Sequence, residues 1–234
     1  MKEKTNFIYY IILSITAEIL LIAVVFLNYS SKISIDLSDK LFIGGLFIGS
    51  CLFGISIAQY PGWYKRFIYW KKQSLNKQNV NKTTRRRKGH HPDCEQFFYH
   101  TIKTQKKIFC AGCFGLSLGS IISISVMIFY IIINNNISSS IFYLFLYLGI
   151  ISIDLIFIET FLSIKNTTVH VISNVLLVVS FLLICISILE ITGNPLYVAI
   201  SILFSILWLD TRIHISNWRH ALICKNCAEN CKMY

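Results

Sequence analysis

Six of the eight cysteines fall in two short clusters, and each cluster also holds histidine. The first reads His90-His91-Pro92-Asp93-Cys94, then Cys110-Ala111-Gly112-Cys113-Phe114-Gly115. Two residues separate His91 from Cys94, fifteen separate Cys94 from Cys110, and two separate Cys110 from Cys113. That is the spacing of a two-knuckle zinc site in which one His replaces a Cys. A two-residue insert lets a tight turn aim both side chains at one ion. Fifteen residues suffice for the chain to go out and return. Glycine beside the thiols relieves crowding and lets backbone N–H groups approach the sulfurs. The expected ligands are His91, Cys94, Cys110 and Cys113, with His90 and His100 as spare candidates, and zinc is the expected metal. An iron–sulfur cluster is the alternative cofactor, and reduced, unliganded thiols at a helix start are the plain structural reading.

The second cluster is His220-x3-Cys224-x2-Cys227-x3-Cys231. On one helix these four residues share a face, but the ends of that row lie about 16 Å apart, too far to wrap one ion. The tail therefore makes a second site through a non-helical Cys224–Cys227 turn, or it faces the first cluster. We expect the tail to pack on the 89–113 segment, because a short tail without a core needs such a staple. Cys51 and Cys185 stand alone inside apolar runs and read as packing residues.

The elements that must position these groups are apolar. Hydrophobic residues make up 55% of the 234 and charged residues only 14%, against about 25% charged in a soluble domain. Mean hydropathy is +0.61. Six apolar segments, 7–27, 41–60, 114–133, 141–161, 169–189 and 195–209, each approach the length a helix needs to cross a bilayer. Asn194-Pro195 forms a helix start, and the sixth helix is expected to continue through Asp210 and Arg212 with their side chains reaching the interface. The chain then divides into spans one and two (1–60), a basic interfacial and linker segment (61–88), the Cys/His motif (89–113), spans three to six (114–210) and a Cys-rich tail (211–234).

Charge orients these spans. Residues 61–112 hold thirteen Lys and Arg against Asp93 and Glu95, while the rest of the chain balances nine against nine. Under the positive-inside rule this segment is cytoplasmic, and with it both termini and both cysteine clusters. Thiols there stay reduced, so clustered cysteine points to metal or redox chemistry, not structural disulfides. Arg85, Arg86, Arg87 and Lys88 form a patch that suits anionic lipid, although retention on the inside explains them as well. The partners expected are the lipid bilayer of the cell membrane, anionic lipid and a cytoplasmic protein. Nucleic acid is not expected.

Ionisable groups inside spans are costly and suggest function by default. Glu18 lies near the middle of the first span, and Asp154 lies about two turns inside the fourth. In an antiparallel hairpin Asp154 comes level with Asn174, with His170 one turn nearer the cytoplasm, so these three are expected to form a polar patch below the metal site. Interhelical hydrogen bonding explains them equally well. Glu159 is shallow enough to snorkel and receives no role. Asp210 and His214 are possible members of either cysteine site.

Gly89-His90-His91-Pro92-Asp93-Cys94, His100, and Cys110-Ala111-Gly112-Cys113-Phe114-Gly115-Leu116 with Gly119 resemble an uncharacterised family of small multi-pass membrane proteins in bacteria and archaea. Its members carry a Cys/His motif followed by C-A-x-C-x-G-x-x-x-G running into a membrane helix. The His-His-Pro-Asp-Cys form resembles the archaeal members, where bacterial ones begin Cys-His. The region of Asp154 and Asn166-Thr167-Thr168 is similar to a second stretch of the family, which typically has a basic residue where His170 stands. The resemblance spans roughly 89–189 and implies a membrane fold and the cluster, with no activity attached.

The expected fold is all-α: a polytopic membrane protein of about six spans with a small metal-stapled cytoplasmic cap. Two functions follow. One is a non-catalytic protein whose Cys/His site orders the helices and docks a partner or lipid. The other is a membrane enzyme, either a thiol–disulfide oxidoreductase using Cys110 and Cys113 or a metal-dependent enzyme using the Asp154 region. A transporter resting on the buried acids is the third reading. The chain has no P-loop, nucleophile elbow or dinucleotide fingerprint.

Overall fold

The computed structural model describes residues 2–27, 35–59, 95–103, 108–133, 139–162 and 164–225. Within them the chain forms α1 (Lys2–Leu27), α2 (Leu37–Gln59), a 3₁₀ turn (Glu95–His100), β1 (Thr101–Lys103), β2 (Ile108–Cys110), α3 (Ala111–Ile132), α4 (Ser139–Leu162), α5 (Thr167–Thr192) and α6 (Pro195–Lys225). All six α-helices are long and apolar enough to cross a membrane, which makes this a multi-pass membrane protein. The six expected segments are all present. The last helix is the one that departs most, running to Lys225, well past the expected continuation through Arg212.

α5 is the central pillar. Two-thirds of its spanning window (67%) is buried, against 22–33% for the other five. It is flanked by α3 and α4, α2 packs on the outside of α3, and α1 pairs with α6. Leu177, Leu182, Ile184, Ile188 and Leu189 of α5 are fully buried, with Met127, Ile153 and Trp208 against the same core. The outward faces of the other helices carry large apolar side chains such as Phe42, Phe129, Leu155 and Leu203, as lipid demands.

Lipid supplies no hydrophobic force between helices, so close approach of backbones must draw them together. Glycine permits it at two contacts. A Cβ placed on Gly115 would lie 2.5 Å from the Val171 carbonyl oxygen, and one on Gly119 would lie 2.9 Å from Val175 Cα. α3 therefore rests directly on the backbone of α5. On the other side of α5, a Cβ on Gly149 would meet Ile184 Cγ1 at 2.8 Å.

Local signals set the ends of α5. Asn166 Oδ1 accepts from the Thr168 backbone N–H at 2.9 Å, an N-cap. Gly193 ends the helix in the left-handed region, φ 61°, with its N–H donating to Leu189 O. Asn194 then caps α6 by accepting from Leu196 N–H at 2.9 Å, with Pro195 as the first helical residue. α1 is tied to α6 by polar contacts: Ser14 Oγ lies 2.7 Å from Thr211 Oγ1, and the Trp208 indole donates to Ser14 O at 3.2 Å.

The only strands among the described residues are those of the hairpin of β1 and β2. Thr101 pairs with Cys110, Ile102 with Phe109 and Lys103 with Ile108, antiparallel. This pairing is how the stretch between Cys94 and Cys110 returns on itself and delivers Cys110 to the start of α3.

Candidate functional site

Cys110 is both the last residue of β2 and the N-cap of α3. Its backbone is extended, at φ −73° and ψ 125°, and no side chain caps the helix. Cys113 sits one turn into α3, and the Cys110 and Cys113 thiols lie in hydrogen-bonding contact. No disulfide forms at Cys51, Cys110, Cys113 or Cys185. The turn that precedes the hairpin ends at His100, whose ring stacks on His170 of α5 with centroids 4.4 Å apart. Two of the expected ligands, Cys110 and Cys113, are thus together, and the spare candidate His100 sits on the helix beneath.

The other two, His91 and Cys94, lie outside the described residues, as do His90 and the Arg85–Lys88 run. Cys227 and Cys231 lie outside them too, and the helix reaches His220 and Cys224 without describing their side chains. The expected packing of the tail on the cap falls on those positions. Among the described residues no three His, Cys, Asp or Glu side chains group so as to hold a metal.

Below the thiols lies a buried polar network. His170 Nδ1 sits 3.0 Å from Glu159 Oε1, and Arg212 Nη2 sits 3.9 Å from Glu159 Oε2. Arg212 also donates to Asn174 Oδ1, while the Asn174 amide nitrogen donates to His170 O at 2.5 Å. Arg219 donates to the carbonyl of Thr160, beside Glu159. α4, α5 and α6 therefore each contribute a charged or titratable side chain to one point. The side chains of Glu159, His170 and Arg212 are only 11–12% exposed. His170 Nε2 and Arg212 Nε have no hydrogen-bond partner among the described residues.

Three sequence expectations change here. Asp154 is not the acid of this patch: it is exposed on α4, and its electrostatic neighbour is Glu18 of α1. Glu159, read as snorkelling, is instead the buried acid that meets His170. Asp154 and Glu159 are five apart, so they project about 140° apart around the helix, and Glu159 follows the buried side of Ile156 and Thr160. Arg212, expected to reach the interface, turns inward for the same reason: it follows Trp208 and Thr211 on the buried face of α6. Asn174 and His170 are in the network as expected.

Asp210 and His214 lie apart from it. They pair with each other at 3.7 Å, and His214 stacks on Tyr10 of α1.

Comparison with protein-family models, curated proteins and solved structures finds no match to this chain. Its function must be argued from the site.

A second polar cluster, unforeseen from sequence, joins α2, α3 and α5. Tyr130 donates to Glu190 Oε1 at 2.6 Å, Lys40 Nζ lies 3.7 Å from the same oxygen, and Lys40 stands 4.9 Å above the Tyr130 ring. Each charge meets its opposite, so the cluster reads as a clasp. The available signal was that Lys40 and Glu190 are each the last charge at one end of an apolar run. The faces of α2 and α5, which bring them together, could not be read from the sequence.

Proposed function

We propose that this membrane protein carries a zinc-type Cys/His site, formed by His91, Cys94, Cys110 and Cys113, that bolts a small cytoplasmic cap onto the helix bundle and offers a docking surface to a partner or to lipid. One observation carries the reading: the Cys110 and Cys113 thiols are in contact at the point where β2 enters α3. Zinc requires thiolates aimed at one point, and a strand end followed by a helix start holds this pair without help from the rest of the cap. The thirteen cations of residues 61–112 support a cytoplasmic cap. We also propose kinship with the multi-pass family that the motif resembles. The glycines of its C-x-G-x-x-x-G stretch, Gly115 and Gly119, fall on the tightest contact of α3 with α5.

Metal analysis of purified protein tests the site. Cys94→Ser, Cys110→Ser and Cys113→Ser should each lose zinc and detergent stability, since a structural zinc contributes about 10 kcal/mol or more of apparent binding free energy. Cys51→Ala and Cys185→Ala, whose sulfurs lie in the core beside Ser120 and Ser201, should keep wild-type metal content. Equal zinc across all five variants, or none in the wild type, would overturn the proposal. The same thiol contact favours a second reading, a thiol–disulfide oxidoreductase. Reversible formation of a Cys110–Cys113 disulfide in metal-free wild-type protein would select it.

A further inference from the structure

α3 is long enough by itself to cross the hydrocarbon. Its 22 residues make a rod of about 33 Å, against a hydrocarbon core of about 30 Å. Ala111 therefore stands at the edge of that core, and β2, which ends at Cys110, lies just outside it. The headgroup layer there is about 5–7 Å deep, and a three-residue strand is about 10 Å long, so at least half of β2 lies among headgroups at any tilt. The hairpin is also held from the side. His100, at its near end, stacks on His170 in the first turn of α5, with ring centroids 4.4 Å apart.

The hairpin turns apolar side chains outward at this level. Cys110 faces the bundle: its sulfur and the Asn174 amide nitrogen lie 3.8 Å and 3.6 Å from one point, a Cβ built on Gly112. Strand side chains alternate, so Phe109 and its cross-strand partner Ile102 turn away from α5. Phe109 is exposed, as are Phe98, Tyr99 and Phe114, each by 41–52%. Phe98 and Tyr99 meet edge to face, with centroids 5.8 Å apart. Phe114 opens the outward stripe of α3, which continues through Leu118, Ile121 and Ile122. Only the four residues of the strand-to-helix join separate Phe109 from Phe114, so the aromatics of the hairpin continue a helix face that lipid covers.

We propose that the hairpin is an interfacial anchor, seated among the headgroups with Phe98, Tyr99 and Phe109 against lipid. This deepens the docking part of the reading above by naming lipid as the occupant, and it requires no metal. A two-stranded hairpin is marginally stable in water on its own, and this one leaves about half the surface of its aromatics open. Aromatic side chains favour the headgroup region, so the bilayer supplies the second face that the hairpin lacks. The same seat fixes the height of the strand that enters α3 at Cys110.

The test uses the full chain in lipid nanodiscs, with a single trifluoromethyl-phenylalanine in place of Phe109 or of Phe98. A nearby paramagnet erases its fluorine resonance, and two are compared: a lipid with a nitroxide just below the headgroup, and a soluble gadolinium chelate. Phe129, three residues from the other end of α3 and on its outward face, sets the scale for lipid contact. Phe109 and Phe98 should each lose more signal to the nitroxide lipid than to the chelate, as Phe129 does. The reverse order would put the hairpin in water and overturn the anchor. Signals that survive both would show that protein covers the face, whether residues 61–94 or a second copy, and would overturn it too. Zinc content of the same samples keeps the two readings apart. Lipid contact in zinc-free protein leaves the anchor and removes the metal site, while zinc-loaded protein with the hairpin in water does the opposite.

Discussion

At the residue scale, the decisive group is a carboxylate whose depth misled the sequence reading. Asp154 is the deeper acid by sequence position, yet it faces outward and Glu159 faces in. Depth along a helix is legible from position alone, whereas direction depends on which face the neighbours cover. The two acids therefore respond differently to neutralisation. Glu159→Gln leaves Arg212 buried without its ion pair, and breaking a buried pair costs roughly 3–5 kcal/mol. Asp154→Asn breaks no ion pair and removes an acid that faces out of the bundle beside Glu18, so it should be neutral or stabilising. Denaturant titration of the detergent-solubilised variants measures both. Equal destabilisation would mean that Glu159 is not the acid holding the three helices.

At the element scale, α5 organises the bundle because it is approached on both sides by glycine-bearing helices. The cost of filling that space is specific to position. Gly115→Leu and Gly119→Leu drive side-chain carbons into the α5 backbone, which cannot yield as a flexible side chain would. Overpacking of this kind costs about 1–3 kcal/mol or more, so both variants should lower the unfolding temperature and reduce yield. Gly45, Gly49 and Gly54 of α2 have nothing within 4 Å of a Cβ, and alanine at each should be neutral or slightly stabilising. Thermal unfolding in micelles distinguishes the sets. Comparable losses at Gly49 and Gly119 would show that helix propensity, and not the α3–α5 contact, governs these positions.

For the whole molecule, six antiparallel spans place the start of α1, the start of α3, the end of α4, the start of α5 and the end of α6 together. The contacts agree: Tyr10 meets His214, Arg219 meets Thr160, and His100 meets His170. The hairpin, the thiols and the polar network therefore occupy one end of the bundle, and the Lys40–Tyr130–Glu190 clasp joins α2, α3 and α5 at the other. With the cation excess of residues 61–112 inside, single-cysteine accessibility labelling should find residues 89–94 and the C-terminus reactive only after the membrane is permeabilised to the reagent, and residues 134–138 reactive without it. Labelling of the C-terminus from outside would reverse the orientation and reopen disulfide chemistry for both clusters.

The span count, the all-α class, the α5–α6 turn and the pairing of Cys110 with Cys113 were determined by the sequence alone, because each depends on local chemistry. A run of about twenty apolar residues has no stable form in lipid but a helix, Asn-Pro starts a helix wherever it stands, and two residues between cysteines set their reach. The partners across the bundle were decided only by tertiary structure. Apolar segments are hydrophobic all round, so their sequence carries little periodicity to say which face turns inward. Rotation is chosen by packing, here by the glycines that let α3 and α4 settle on α5. That choice brings Glu159, His170 and Arg212 together from three helices and leaves Asp154 to one side.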